Sequence, residues 1–207
     1  MTESWLIRAL ELSRTRHFIG PAAIGDQIAH AEGFAACWED EMPLPPQRLL
    51  DIGSGGGLPG LVLLTRWGSP TVLLDSMIRR TDFLREVFAW PDAPTGAVVV
   101  TQRAESAARR DEYSEGFDLV TARSFGPPAV TAECATRFLA LGGRLIVSEP
   151  PEESEAVRWD AVGLAQLGLR SSGRRRHGAA FQVLEKVSST PDEFPRAVGT
   201  PAKRPLF

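Results

Sequence analysis

A cluster of glycines wedged between two apolar runs limits what this chain can fold into more than any other feature. Leu49-Leu50-Asp51-Ile52 is a short apolar run carrying one carboxylate, Gly53-Ser54-Gly55-Gly56-Gly57-Leu58-Pro59-Gly60 follows, and Leu61-Val62-Leu63-Leu64 resumes the apolar pattern. That order predicts a strand, a tight turn and a helix. Glycines in the turn permit backbone dihedrals closed to other residues and leave room for a ligand against the main chain. The expected tenant is a nucleotide-like cofactor.

The rest of the chain repeats the alternation. Strands are expected at 47–52, 71–75, 96–101, 117–121 and 143–148, and helices at 58–67, 77–89, 127–140 and 152–167. Such alternation implies an α/β fold, Rossmann-like and doubly wound, with a mostly parallel sheet covered on both faces. Apolar positions at Trp5, Leu6, Ala9, Leu10 and Leu12 predict an amphipathic helix over 3–16, and a second over 22–40 ends before Pro43, Pro45 and Pro46. Residues 169–175 and 179–187 read as an antiparallel edge hairpin, and the Pro-rich last twenty residues as extended. The chain thus divides into an N-terminal helical extension (1–45), a main domain (46–190) and a C-terminal tail packed on it (191–207).

A formal charge of −3 excludes a generally basic nucleic-acid coat but leaves room for a local basic patch. There is no signal-type leader and no run of the ~18 apolar residues that a membrane span needs, so a cytoplasmic location is expected. Cys37 and Cys134 are too few for a disulfide framework or a zinc site, and His17, His30 and His177 lack metal-ligand spacing, so no metal is expected.

Two cofactors fit the glycine loop. A dinucleotide fingerprint is matched by Gly55, Gly57 and Gly60, but it starts after the strand has ended. The pattern acidic-x-G-x-G-x-G over Asp51, Gly53, Gly55 and Gly57 starts where the strand stops, and it resembles motif I of the S-adenosylmethionine (SAM) methyltransferases. Asp75, at the end of the second strand with Ser76 beside it, suits the ribose hydroxyls of either cofactor. The position of the glycines favours SAM, with S-adenosylhomocysteine as product. Ligands in such folds bind at the carboxyl ends of strands, where Gln102 to Glu105, Arg123, Ser124 and Glu149 also stand.

With these residues placed, the chain resembles the RsmG (GidB) family of 16S ribosomal RNA methyltransferases from about residue 48 onward. The resemblance is carried by Asp51 to Gly60, by Leu74-Asp75-Ser76 with Arg80 and Phe83-Leu84, and by Arg103-Ala104-Glu105 and Ala122-Arg123-Ser124-Phe125. In the tail it is carried by Phe194-Pro195-Arg196, Gly199-Thr200-Pro201 and Lys203-Arg204-Pro205-Leu206. It implies methylation of N7 of one guanine in the small-subunit RNA, with SAM held by Gly53, Leu58, Ala104, Glu105 and Arg123; Ser54 belongs to the same loop. The family's Asn-Leu-Thr element is absent, and of its Arg-His-Ile-x-Asp-Ser element only His30 remains. Where the family commonly has Lys-Gly, this chain has Ser148-Glu149-Pro150-Pro151.

Guanine N7 offers a lone pair and no proton, so transfer needs positioning rather than a general base. Arg123 and His30 are the positioning candidates, with a structural ion pair for Arg123 and helix packing for His30 as the competing readings. Glu105 either holds the cofactor or sits as a carboxylate at a helix N-terminus. The marks of other methyl transfers, Asn/Asp-Pro-Pro-aromatic or a cysteine after proline, are absent. Arg174-Arg175-Arg176, expected in the turn of the edge hairpin, is the candidate surface for RNA phosphate, extended by Arg196 and Lys203. The partner expected is 16S ribosomal RNA or the small subunit. Competing readings are a small-molecule N- or O-methyltransferase, with a closed apolar pocket lined by Phe18, Phe34 and Trp38, and a non-catalytic SAM- or RNA-binding protein.

Overall fold

A computed structural model describes residues 2–152 and 158–207. The strands are β1 (Leu49–Ile52), β2 (Thr71–Asp75), β3 (Ala97–Thr101), β4 (Phe117–Ala122), β5 (Leu139–Glu149), β6 (Leu169–His177) and β7 (Ala179–Lys186). They form one sheet in the order β3-β2-β1-β4-β5-β7-β6. β1 to β5 pair in parallel, and β7 runs antiparallel to both of its neighbours. The helices are α1 (Thr2–Thr15), α2 (Ile24–Glu39), α3 (Gly60–Trp67), α4 (Ile78–Phe88), α5 (Ala104–Ala107), α6 (Pro128–Thr136), α7 (Ala161–Gln166) and α8 (Thr200–Lys203).

Side chains alternate across each strand and so build two cores. Leu50, Ile52, Leu74, Val120 and Leu145 pack with Ala107, Ala135 and Leu164 on one face. Leu49, Leu119, Ile146 and Val183 meet Phe34, Trp38 and Leu63 on the other, where Leu73 joins Trp5, Leu61 and Phe83. The first two helices are part of this packing. Trp5 is fully buried and donates its indole N–H to Val87 O at 2.8 Å, and Ser13 Oγ donates to Gly56 O at 2.9 Å. A Cβ on Gly56 would stand 2.2 Å from that hydroxyl, so the glycine lets α1 sit directly on the loop.

Four local expectations are corrected. The helix expected to 140 stops at Thr136, and β5 begins at Leu139. The run Phe138-Leu139-Ala140-Leu141 suits either state, and pairing with Phe117 decides for the strand. Of the helix expected over 152–167 only Ala161–Gln166 is helical, started by Asp160, whose carboxylate accepts from Gly163 N at 2.6 Å; residues 153–157 lie outside the described residues. Arg174, Arg175 and Arg176 belong to β6 and not to a turn, because Gly178 (φ 69°) reverses the chain almost alone. The tail contains α8, where an extended segment was expected.

The order of strands reverses between β1 and β4, and this opens a crevice at their carboxyl ends.

Candidate active site

The crevice is built from the ends of β1, β2, β3 and β4. At the end of β1, Gly53 has φ 69°, and a Cβ there would meet the Phe125 ring at 2.7 Å. Two carboxylates brace the loop that follows. Asp51 accepts from Thr121 Oγ1 at 2.9 Å and from Gly60 N at 3.2 Å. Asp75 accepts from Gly55 N at 2.9 Å and Met77 N at 2.8 Å. Burial pushes the Asp51 carboxyl up to about 7, against the hydrogen bonds from Thr121 and Gly60 that lower it.

Three adjoining cavities occupy the crevice. The first is lined by Gly53, Asp75, Ser76, Met77, Ala104 and Glu105, together with Phe125, Cys134 and Ala202. The second lies over the glycine loop, between Gly53, Ser54, Gly55 and Leu58 on one side and His17 to Gly20 on the other, with Arg80 and Arg123. The third is lined by His30, Arg123, Ser124, Phe125 and Glu149. Ser124 is common to all three and adopts φ 53°, a left-handed conformation unfavourable for a residue with a side chain.

Arg123 donates through Nη2 to Gln27 Oε1 of α2 at 2.5 Å, while its Nη1 is buried without a partner. Burial lowers its pKa, and the Asp51 charge opposes this. Among the described residues, the side-chain nitrogens buried without partners are Arg123 Nη1, Arg80 Nε and His30 Nδ1, and all three residues line these cavities. Unpartnered polar nitrogens at a cavity wall, two of them guanidinium donors, mark a site shaped for a polar ligand. Two guanidiniums over a glycine loop fit the amino-acid end of SAM. Asp75, with Ala104 and Glu105 across the first cavity, fits its ribose and adenine. Burial and the Arg123 charge hold His30 down at about 4, so its ring is neutral near pH 7.

The tail completes the first cavity. Glu105 accepts from Gly199 N at 3.0 Å, Arg109 donates to Pro195 O at 2.7 Å, and Arg137 to Phe194 O at 2.6 Å, which places Ala202 of α8 on the wall.

Other residues singled out in the sequence stand elsewhere. Asp51 and Gly57 line none of the cavities; Asp51 fastens the loop from behind, and Gly57 N donates to Ser54 O at 2.7 Å within it. Arg175 is paired with Glu41 at 3.1 Å and Arg196 with the fully buried Glu133 at 2.6 Å. Arg174 and Arg176 donate to the carbonyls of Pro150 and Pro151, at 2.7 and 2.9 Å, beside the third cavity. Lys203 is exposed on α8. Glu149, which stands where the family commonly has Lys-Gly, is bound by Arg158 Nε at 2.8 Å and Trp159 Nε1 at 3.1 Å. Gln27, His17, Ile19, Gly20 and Ala202 were not anticipated as lining the site, and Phe18 was anticipated only for a closed apolar pocket. Burial pushes the Cys37 thiol up to about 12 and raises that of Cys134 further, so neither is a nucleophile.

The fold is shared with solved proteins of low sequence identity. An O-methyltransferase from Bacillus cereus in complex with S-adenosylhomocysteine superposes with a TM-score of 0.61 at 15% identity, over 88% of this chain and 90% of that one. The putative methyltransferase yhhF from Escherichia coli does so with a TM-score of 0.58 at 16% identity, over 83% and 91%. Sheet order, glycine loop and orphaned donors thus belong to a SAM-dependent methyltransferase with the class I fold. The family model of rRNA small subunit methyltransferase G (GidB) matches residues 37–158. The ribosomal RNA small subunit methyltransferase G of Leuconostoc mesenteroides is 31% identical over 83% of this chain and 74% of its own, and that of Thermotoga maritima 36% identical over 77% and 68%. The chain belongs to the rRNA small subunit methyltransferase G family. No helix among the described residues is long and apolar enough to cross a membrane.

Proposed function

We propose that this methyltransferase acts on 16S ribosomal RNA and methylates N7 of a guanine. The observation that carries this reading is the match of the family model across the glycine loop, Asp75, Glu105 and Arg123, all of which frame the crevice. Bound SAM supplies a methyl group on a sulfonium. The protein's part is to hold donor and acceptor in line: Gly53, Ser54, Gly55, Leu58 and Arg123 bind the amino-acid end, and Asp75, Ser76, Ala104 and Glu105 the adenosine. Residues 46–190 form the catalytic domain, 1–45 cap the loop and 191–207 close the adenine side. His30 and Arg123 position the acceptor. His30, held down at about 4, is a weak base and both thiols are held protonated, and a nitrogen that has no proton to lose needs no general base. Arg174, Arg176 and Lys203 are the candidate phosphate contacts. Among the described residues Phe18, Phe34 and Trp38 do not line one closed apolar pocket for a small acceptor: Phe34 and Trp38 are buried in the core, in a cluster separate from the one Phe18 packs on, and Phe18 lines the second cavity.

The test is transfer of labelled methyl from SAM to small ribosomal subunits, and to their naked RNA, from cells lacking this guanine modification. Label in one RNA region is expected. No label in either, from a preparation that binds SAM, would refute the substrate.

A further inference from the structure

The third cavity ends at Glu149, on the last residue of β5, across from Arg123 and Ser124, which it shares with the cofactor cavities. The carboxylate is fixed from outside: Oε2 accepts from Arg158 and Oε1 from Trp159, with only 4% of the side chain exposed. Each oxygen accepts one hydrogen bond there and keeps a second lone pair. A carboxylate held in this way suits two donors side by side. Among the neutral nucleobases only guanine presents such an edge, with N1–H next to the N2 amino group; adenine, cytosine and uracil place an acceptor beside each donor. That edge lies across the purine from N7. A guanine bound by it to Glu149 turns N7 away, toward Arg123, Ser124 and the cofactor.

We propose that Glu149 is the residue that selects guanine as the acceptor by accepting from N1–H and N2–H, and that the third cavity is the acceptor-base site. This rests on the reading of guanine N7 as the methylated atom. It also has a catalytic consequence. The N7–CH3 bond forms as the S–CH3 bond breaks; the positive charge leaves sulfur and develops on the purine, no proton moves, and S-adenosylhomocysteine departs. A cationic purine is a stronger N1–H donor, so the bond to Glu149 strengthens toward the transition state. Arg158 and Trp159 orient the carboxylate, and the neutral His30 ring leaves Arg123 as the one cation facing it across the cavity wall among the described lining residues.

The experiment uses small-subunit RNA carrying guanosine or inosine at the methylated position. Inosine keeps N7, O6 and N1–H and lacks the N2 amino group. For the native enzyme, inosine is expected to lower kcat/KM roughly 10- to 100-fold, the effect of leaving one bond to a charged group unmade. Glu149→Gln is expected to react with both RNAs within about twofold of each other, slowed on guanosine, with its affinity for S-adenosylhomocysteine unchanged. Equal rates of the native enzyme on the two RNAs would overturn the proposal, and so would full discrimination by Glu149→Gln. Binding of S-adenosylhomocysteine with transfer to neither RNA would instead remove the acceptor reading, and this proposal with it.

Discussion

Replacing Asp51 by asparagine isolates the electrostatics that hold the glycine loop. The side chain is 1% exposed, and burial raises its carboxyl from an ordinary 3.8 to about 7. Between those values the folded protein keeps a proton that the unfolded chain has released. Stability from this group is therefore complete below pH 3.8 and is lost as pH rises through 7. At about 1.4 kcal/mol per pH unit the whole window is worth about 4 kcal/mol, and the part between pH 5 and pH 8 about 3 kcal/mol. An asparagine in its place would carry no titratable charge and could satisfy both partners: Oδ1 facing Gly60 N–H, and Nδ2 donating to the Thr121 hydroxyl, which can turn to accept. Any fixed cost of the substitution is independent of pH. Urea unfolding of both proteins from pH 5 to pH 8 should show Asp51→Asn gaining about 3 kcal/mol on the native protein, or about 6–12 °C in melting temperature for a chain of this length. Binding of S-adenosylhomocysteine should survive, since the loop keeps its anchors. Parallel curves for the two proteins would show that Asp51 is already ionised in the fold, and the account of the loop's bracing would fail.

Arg123→Ala should weaken S-adenosylhomocysteine binding roughly tenfold or more by calorimetry while the fold survives; unchanged affinity would remove Arg123 from the cofactor site. Arg80→Met should weaken S-adenosylhomocysteine by about the same factor yet leave 5′-methylthioadenosine, which has no carboxylate, unaffected; equal loss for both ligands would mean that Arg80 acts only through Asp75. Arg196→Ala strands the buried Glu133 carboxylate and should cost about 3–5 kcal/mol in urea unfolding. Arg176→Ala should change stability by less than about 0.5 kcal/mol but reduce the salt dependence of RNA binding by about one phosphate contact; an unaltered slope would take Arg176 off the RNA surface.

The basic residues show why local sequence reading stops where it does. Arg174, Arg175, Arg176 and Arg196 look alike as charged letters near the end of the chain. Folding sends Arg196 to Glu133, sixty-three residues away, and Arg175 to Glu41, one hundred and thirty-four away. Such partners leave no mark at neighbouring positions. Gln27 is a similar case: nothing around it suggests a ligand site until α2 is packed against the end of β4 and its amide meets Arg123.

What the sequence by itself determined is the set of features written within a few residues of one another. These are the strand–loop–helix around Gly53 to Gly60, the carboxylate closing β2, the alternation that makes a parallel sheet, and the short motifs that mark the methyltransferase family. Their physics is local, because a glycine's dihedrals and the period of a strand depend on near neighbours. Only the tertiary structure decided which carboxylate faces the cavity and which is buried behind the loop, since Asp51 and Asp75 both stand at or next to the end of an apolar strand. It also decided that the turn after α1 and the helix α8 wall the cofactor cavities and that Glu149 reaches the third cavity with its charge already held. Those outcomes depend on which distant surfaces cover one another, and so on the burial and pairing that exist only once the sheet has been closed on both faces.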